Sequence, residues 1–134
     1  MRISIVIHVI GLLVWVNSLL YVPVFAQETA VYRNAHALFI QAKEHYAEGN
    51  YALAHKEFDA FMRSFAFSNA PEVAVMRTES QFYQALTARK LHNANAELLL
   101  VKFIDENASS IFTSLAYFEL GQIYFEQELY RDAI

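Results

Sequence analysis

Apolar residues recur along this chain at spacings of three and four, the period that gives a helix one buried face. The most regular stripe follows Asn50 and consists of Tyr51, Ala54, Phe58, Phe61, Met62 and Phe65. Gly49 and Asn50 interrupt the pattern, and glycine adopts the left-handed conformation that ends many helices without the steric cost of a Cβ atom. The pattern therefore predicts two antiparallel helices joined at an elbow over 49–50.

Similar stripes before and after this pair predict an all-α chain. The connector that follows the pair contains Ser68 and Pro71, residue types that stop one helix and start another. Thr29 and the Ser109–Ser110 pair are candidate N-caps. No segment alternates apolar and polar residues as a half-buried strand does. The predicted helices cover 29–47, 51–65, 71–90, 96–106, 109–125 and a segment that begins near 129.

Ala54 is a small residue in an otherwise aromatic stripe. A small side chain lets two helix backbones approach closely, while Tyr51 and Phe58 fill the space on either side. We therefore expect paired helices to cross at Ala54, with Glu57 on the opposite, exposed face. A helix pair of this kind cannot bury its apolar face alone, so stacked copies of the unit are expected.

Small residues recur in the second helix of each predicted pair. They are Ala54, Ala96 and Ala133, spaced 42 and then 37 residues apart. The last pair also carries Tyr117, Leu120, Gly121, Tyr124 and Tyr130, and the first carries Leu38, Ala42, Gly49, Tyr51 and Phe58. This combination resembles the tetratricopeptide repeat (TPR) family, in which W-x2-L-G-x2-Y precedes an alanine and an aromatic residue.

The resemblance covers about 35–134. It implies a TPR-like right-handed solenoid of stacked helix pairs over 27–134, with about two and a half repeats at 29–65, 71–106 and 109–134. The first helix of the middle repeat departs from the family pattern at Ser80, Gln84 and Thr87. Only Ala96 and Leu100, in its second helix, support the alignment of this repeat with the family. Exported bacterial cell-envelope proteins with such repeats are the most similar class.

The family's concave surface, which holds peptides or partner subunits, is lined by residues of each first helix. The resemblance implies apolar anchors and polar groups that suit a peptide's carboxylate and backbone amides. The residues carried over are His36, Phe39, Lys43, Gln81, Ala85, Arg89, Phe118, Gln122 and Glu126. The alternative is that the polar members are ordinary exposed residues and that Phe39 packs against a neighbouring helix.

Residues 1–26 have the layout of a secretory signal peptide. Arg2 is followed by an apolar run from Ile3 to Val22, then by Pro23 and by Ala26 before the predicted cleavage point. The mature chain is expected to begin at residue 27, in the periplasm or cell envelope. The alternative is an uncleaved membrane anchor, because an apolar run of this length can span a bilayer.

The chain has ten Lys and Arg residues against fourteen Asp and Glu, a net charge of -4. This acidic balance, without any basic run, argues against a nucleic-acid partner. The absence of cysteine excludes disulfides and lipid attachment through cysteine. An exported domain of this composition must therefore be stabilised by packing.

Catalytic signals are weak. Glu44, His45 and Glu48 share one helical turn, but neither they nor the separate His36 and His92 have the spacing of a metal site. The prediction is therefore a non-catalytic protein-binding scaffold without cofactor or metal. The alternatives are a membrane-anchored structural or assembly subunit, whose only membrane contact is the uncleaved N-terminal segment, and a hydrolase whose active site lies beyond residue 134. The chain is expected to continue beyond Ile134 or to associate there with another chain, because the fifth helix otherwise lacks the partner that covers it.

Overall fold

The computed structural model describes residues 30–127, and the chain divides into two compact units, 1–34 and 35–134. Five helices occur in the described residues, and no strand is found there, so the all-α prediction is confirmed for this part of the chain. The helices are α1 over 30–47, α2 over Tyr51–Ser64, α3 over Pro71–Lys90, α4 over Ala96–Glu106 and α5 over Thr113–Glu126.

The helix boundaries follow the local chemistry at most ends. Gly49 has a φ of 78°, so the elbow between α1 and α2 needs the left-handed conformation that glycine adopts freely. Pro71 begins α3, at a position where the missing amide hydrogen removes no helical bond. The predicted Thr29 cap, the helix from 129 and the 1–26 segment lie outside the described residues.

The predicted Ser109–Ser110 cap of α5 is wrong. Residues 107–112 form a turn, in which the Ser110 hydroxyl accepts a hydrogen bond from the Phe112 amide at 3.2 Å. α5 begins only at Thr113, whose hydroxyl donates to the Asn107 carbonyl at 2.7 Å. Ser110 therefore stabilises the turn before the helix.

Consecutive helices run antiparallel. The middle of α1 lies beside the last turns of α2, because the Phe39 and Phe61 rings are 5.8 Å apart, and the end of α1 meets the start of α2 at Tyr46 and Tyr51, 5.4 Å apart. α2 and α3 are related in the same way, since Gln84 donates to Asp59 and Arg77 donates to the carbonyl of Ala66 just beyond α2. The Phe82–Phe103 contact at 5.5 Å and the Thr78–Asn107 hydrogen bond show that α3 and α4 are also antiparallel.

α3 is the centre of the unit. It also contacts α1 through Tyr83 and Tyr46, whose rings are 4.9 Å apart, and it contacts α5 through Arg89 and Glu126. Buried apolar residues form two clusters, one among α1, α2 and α3 and the other among α3, α4 and α5. Tyr46 and Tyr83 pack against both clusters. The two clusters therefore share α3 as a common wall.

Ala54 is fully buried, as expected for a crossing point, whereas Glu57 is not on the exposed face. Glu57 is half-buried, with a carboxylate oxygen 3.6 Å from Nε2 of His45 in α1. The expectation for Glu57 is corrected, because the apolar stripe of α2 is narrow enough to leave Glu57 at its margin, beside α1.

Replacing Ala54 with leucine adds three carbon atoms where no space exists. We expect Ala54→Leu to lower the free energy of unfolding by about 1–3 kcal/mol through overpacking. The matched control is Ala60→Leu, since Ala60 is exposed on the same helix. Chemical denaturation measures both variants, and equal losses of stability would contradict the crossing point.

Candidate partner-binding face

α1, α3 and α5 lie side by side and run parallel to one another. Lys43 of α1 contacts Glu79 of α3, and Arg89 of α3 contacts Glu119 and Glu126 of α5. These helices are the first members of the three predicted pairs. We call the surface that they form the α1–α3–α5 face, defined by these five residues with Gln122.

The first connection of this face is an ion pair with aromatic support. The Lys43 Nζ atom donates to Glu79 Oε1 at 2.6 Å and lies 5.3 Å from the Phe39 ring centroid and 5.5 Å from that of Tyr83. Burial opposes the charged form of Lys43, but the hydrogen bond to Glu79 and the charges of Tyr83 and Glu79 outweigh it, so the pKa of Lys43 is raised. This lysine is therefore already engaged within the unit.

The second connection centres on Arg89, whose side chain is only 11% exposed. Its Nη2 atom donates to Glu126 Oε1 at 2.6 Å and to Gln122 Oε1 at 3.5 Å. Nε lies 3.7 Å from Glu119 Oε2, and neither of these two buried atoms has a hydrogen-bond partner among the described residues. One guanidinium thus faces two carboxylates, which leaves this part of the face acidic.

Tyr46 lies where the two connections meet. Burial raises the pKa of its phenol, and the charges of Tyr51, Glu119 and Tyr83 raise it further. A tyrosine of α1 therefore experiences the charge of a carboxylate on α5. Tyr46 therefore lies close to a charged group of α5 as well as to Tyr83 of α3.

Two of the predicted binding residues are core residues, which corrects their assignment to the groove. Phe39 is buried on the stripe that packs on α2, with its ring 6.4 Å from that of Phe58. Ala85 is fully buried in the cluster of α3, α4 and α5. Phe39 follows Ala35 by four residues and precedes Ala42 by three, and all three are buried, so the alternative that Phe39 packs against a neighbouring helix is the correct one.

Gln81 does not join the α1–α3–α5 face. Its carbonyl oxygen accepts from Asn107 Nδ2 at 3.1 Å, and its Nε2 donates to Glu106 at 3.5 Å, so it lies on the side of α3 that faces α4. There it lines a cleft with Met62 of α2 and Arg77 of α3. Arg89, from the same carried-over set, contacts α5 instead, so these residues do not share one side of α3.

The structure leaves the other predicted residues on or beside the face. His36 is exposed on α1, and Gln122 and Glu126 are exposed on α5 beside Arg89. Phe118 is 60% exposed, and Leu115, three residues earlier on α5, is also exposed. The face therefore combines exposed apolar side chains on α5 with charged contacts between helices.

Sequence reasoning missed Glu79 and Glu119 as members of this face, and it missed Tyr46 and Tyr83 beside them. Glu119 could have been found, because it precedes Gln122 by three residues and Glu126 by seven and so shares their stripe. Glu79 carries no comparable local signal. Its pairing with Lys43 depends on how two helices that are distant in sequence pack together.

The helical turn that carries Glu44, His45 and Glu48 does not form a metal site, and no group of metal-ligating side chains occurs in the part of the chain that is described. Nδ1 of His45 lies 3.5 Å from Glu48, and Glu44 is exposed. His55 is engaged elsewhere, with Nδ1 2.8 Å from the Thr87 hydroxyl. Among residues 30–127, no helix is long and apolar enough to cross a bilayer.

Comparison of the chain with protein-family models, curated proteins and solved structures finds no match.

Removal of the Arg89 guanidinium leaves the carboxylates of Glu119 and Glu126 without their cation. We expect Arg89→Met to lower the free energy of unfolding by about 2 kcal/mol, because Glu119 is largely buried. Arg63→Met is the matched control, since the exposed Arg63 pairs with Asp59 within one helix and should contribute about 0–1 kcal/mol. Urea denaturation measures both variants, and equal losses would show that the Arg89 contacts add nothing to the face.

Alkaline pH should loosen the junction of α1 with α3. Lys43 and Tyr46 both have pKa values raised above their ordinary 10.5 and 10.0, so the stability that they contribute is complete below pH 10. It is lost as the pH rises through the folded-state values, because the unfolded chain releases these protons first. Thermal denaturation between pH 8 and 11 should show this loss, and Lys43→Met or Tyr46→Phe should make it smaller. An unchanged pH profile in both variants would contradict the assignment.

Proposed function

We propose that this chain is a non-catalytic interaction protein of the cell envelope, whose α1–α3–α5 face binds a peptide or a partner subunit. Its main support is the parallel arrangement of the three first helices on one face, joined through Lys43–Glu79 and Arg89–Glu126. In a TPR-like solenoid the first helices of successive pairs line the concave surface. The residue pattern and the helix order favour the same architecture.

The proposed contacts differ from those that the sequence implies. Exposed apolar area on α5, at Leu115 and Phe118, provides the anchors, because buried aromatic contacts dominate the affinity of most interfaces. Gln122 and Glu126 at the edge of this area supply polar contacts, and the excess of carboxylate around Arg89 favours a partner segment with a basic side chain. Phe39, Ala85 and Gln81 are not part of the proposed surface.

Export to the periplasm or cell envelope is part of the proposal and is supported by the signal-peptide pattern of residues 1–26. The competing function is a structural or assembly subunit that the same segment anchors in a membrane. Both functions use the α1–α3–α5 face in the same way. They differ in whether the segment stays on the protein.

A peptide library tests the proposed face directly. Twelve-residue peptides selected on the full chain should bind a Phe118→Ser variant about tenfold more weakly, because burial of a phenylalanine contributes about that factor. Leu98→Ser is the matched control, since Leu98 is similarly exposed but lies on α4. Selected peptides that bind both variants equally well would contradict binding at this face.

Export is tested on protein recovered from the native host. Intact-mass measurement should show a chain that starts at Gln27, in a soluble fraction outside the cytoplasm. A chain that retains Met1 in the membrane fraction would instead support the anchored subunit.

A further inference from the structure

One end of the 35–134 unit carries apolar side chains on its loops. Phe67, in the loop between α2 and α3, is 96% exposed, and Ile111, in the loop between α4 and α5, is 85% exposed. An apolar side chain on a loop usually packs back onto its own protein to escape water. These two project instead.

Both loops lie at the same end of the unit and are held by neighbouring residues of α3. Arg77 Nη1 donates to the Ala66 carbonyl at 2.7 Å, and the Thr78 hydroxyl donates to Asn107 Oδ1 at 3.4 Å. The antiparallel order of the helices gives the same result, since the α2–α3 and α4–α5 connections both join a second helix to the next first helix. We call this region, with loops 65–70 and 107–112, the loop end.

Exposed apolar side chains near the starts of α3 and α5 extend the apolar character of the loop end. Val75, on the second turn of α3, and Leu115, on the first turn of α5, are both exposed. No Asp, Glu, Lys or Arg occurs over 64–71 or over 107–118. The polar residues of the two loops are Ser and Asn, which are uncharged.

The opposite end of the unit has a different composition. Its loops, 48–50 and 91–95, carry Glu48, Asn50, His92, Asn93 and Asn95, all of them exposed. The apolar, uncharged character therefore belongs to one end and is not a general property of the loops.

We propose that the loop end contacts a lipid surface, with Phe67 and Ile111 inserted at the boundary between headgroups and acyl chains. Two apolar side chains on separate projecting loops suit a fluid surface, which closes around each of them, whereas a protein partner would need a matched pocket for each. Because the loops carry no charge, insertion desolvates no ion. The Ser and Asn side chains can hydrogen-bond to headgroups.

In the alternative in which residues 1–26 stay on the protein, the connectivity of the chain also favours lipid as the occupant. α1 enters the unit at Ala35, at this same end, because Phe39, four residues further along α1, lies beside Phe61 near the end of α2. The apolar stretch Ile3–Val22 precedes it in the sequence. The contact proposed is additional to any made by that stretch and concerns side chains of the folded unit.

The charges next to the loop end carry both signs. Arg63 and Arg77 are balanced by Glu72 and Glu106, so anionic lipid gains no net attraction. The contact is therefore expected to form on neutral phosphatidylcholine and to vary little with salt, since apolar burial rather than charge drives it.

The chain contains no cysteine, so single-cysteine variants can be labelled at one position each. The full chain, labelled with an environment-sensitive fluorophore at Phe67→Cys or Ile111→Cys, is mixed with phosphatidylcholine vesicles. Labels at Asn50→Cys and Asn93→Cys, on the opposite end, are the matched controls. The measured quantity is the environment of each label. Binding of the chain to the vesicles is not used, because residues 3–22 can hold every variant on the vesicles.

The expected result is a blue-shifted emission and quenching by spin-labelled lipid at positions 67 and 111, but not at 50 and 93. Adding Ile111→Ser to the Phe67→Cys variant should lower the inserted fraction about tenfold, because one of two apolar anchors is lost. The same signals should appear when anionic phosphatidylglycerol is included.

Three results would overturn the proposal. The labels at 67 and 111 could stay as exposed to water as those at 50 and 93. They could become protected without vesicles, in proportion to protein concentration, which would assign the loop end to a second copy of the chain. They could also respond only to anionic lipid and lose the response in salt, which would replace apolar insertion with electrostatic attraction.

Discussion

The packing of α3 against four other helices is the constraint on which the unit depends. A helix surrounded in this way cannot have one apolar stripe, because almost every side of it meets a neighbour. Ser80 and Thr87 are fully buried in it. The Thr87 hydroxyl donates to the Gln84 carbonyl at 3.0 Å and therefore accepts from Nδ1 of His55, which joins α3 to α2. Loss of α3 would remove one wall of both apolar clusters.

The same constraint explains where sequence reasoning succeeded and failed. The bounds of α3 were predicted correctly because Pro71 and the basic pair Arg89–Lys90 mark its two ends locally. The sides of α3 that meet each neighbouring helix were not predicted correctly. A helix buried on several sides has no dominant apolar stripe that identifies its buried face. Gln81 and Ala85 were therefore assigned to the wrong side.

α1 shows the reverse case. Its stripe of Ala35, Phe39 and Ala42 is narrow, so periodicity alone identifies Phe39 as a core residue, and the family register was the poorer guide. The partners of Lys43 and Arg89 could not be predicted, because each pair joins residues more than thirty positions apart. The exposure of Phe67 and Ile111 could not be predicted from the sequence either, because whether a loop side chain packs back onto the protein depends on the packing around it.

The paired charges of the α1–α3–α5 face bear on how a partner would be recognised. Lys43 and Arg89 already have carboxylate partners, so a ligand carboxylate would have to compete with Glu79 or Glu126. Apolar contacts at α5 would then supply most of the affinity, and the charges would set orientation and selectivity. The face runs along the helices, whereas the loop end lies across their ends. A unit resting on lipid through its loops would therefore keep the proposed binding face accessible, apart from Leu115, which belongs to both surfaces.

Native-state hydrogen exchange tests most directly whether α3 unites the unit. Because both clusters need α3, the slowest amides of α2, α3 and α4 should share one opening free energy, equal to that of global unfolding. Exchange measured in increasing denaturant should show these amides merging into a single isotherm. A separate, lower-energy opening of α4 and α5 that leaves α1, α2 and α3 protected would contradict the account, because the second cluster would then be dispensable for the first.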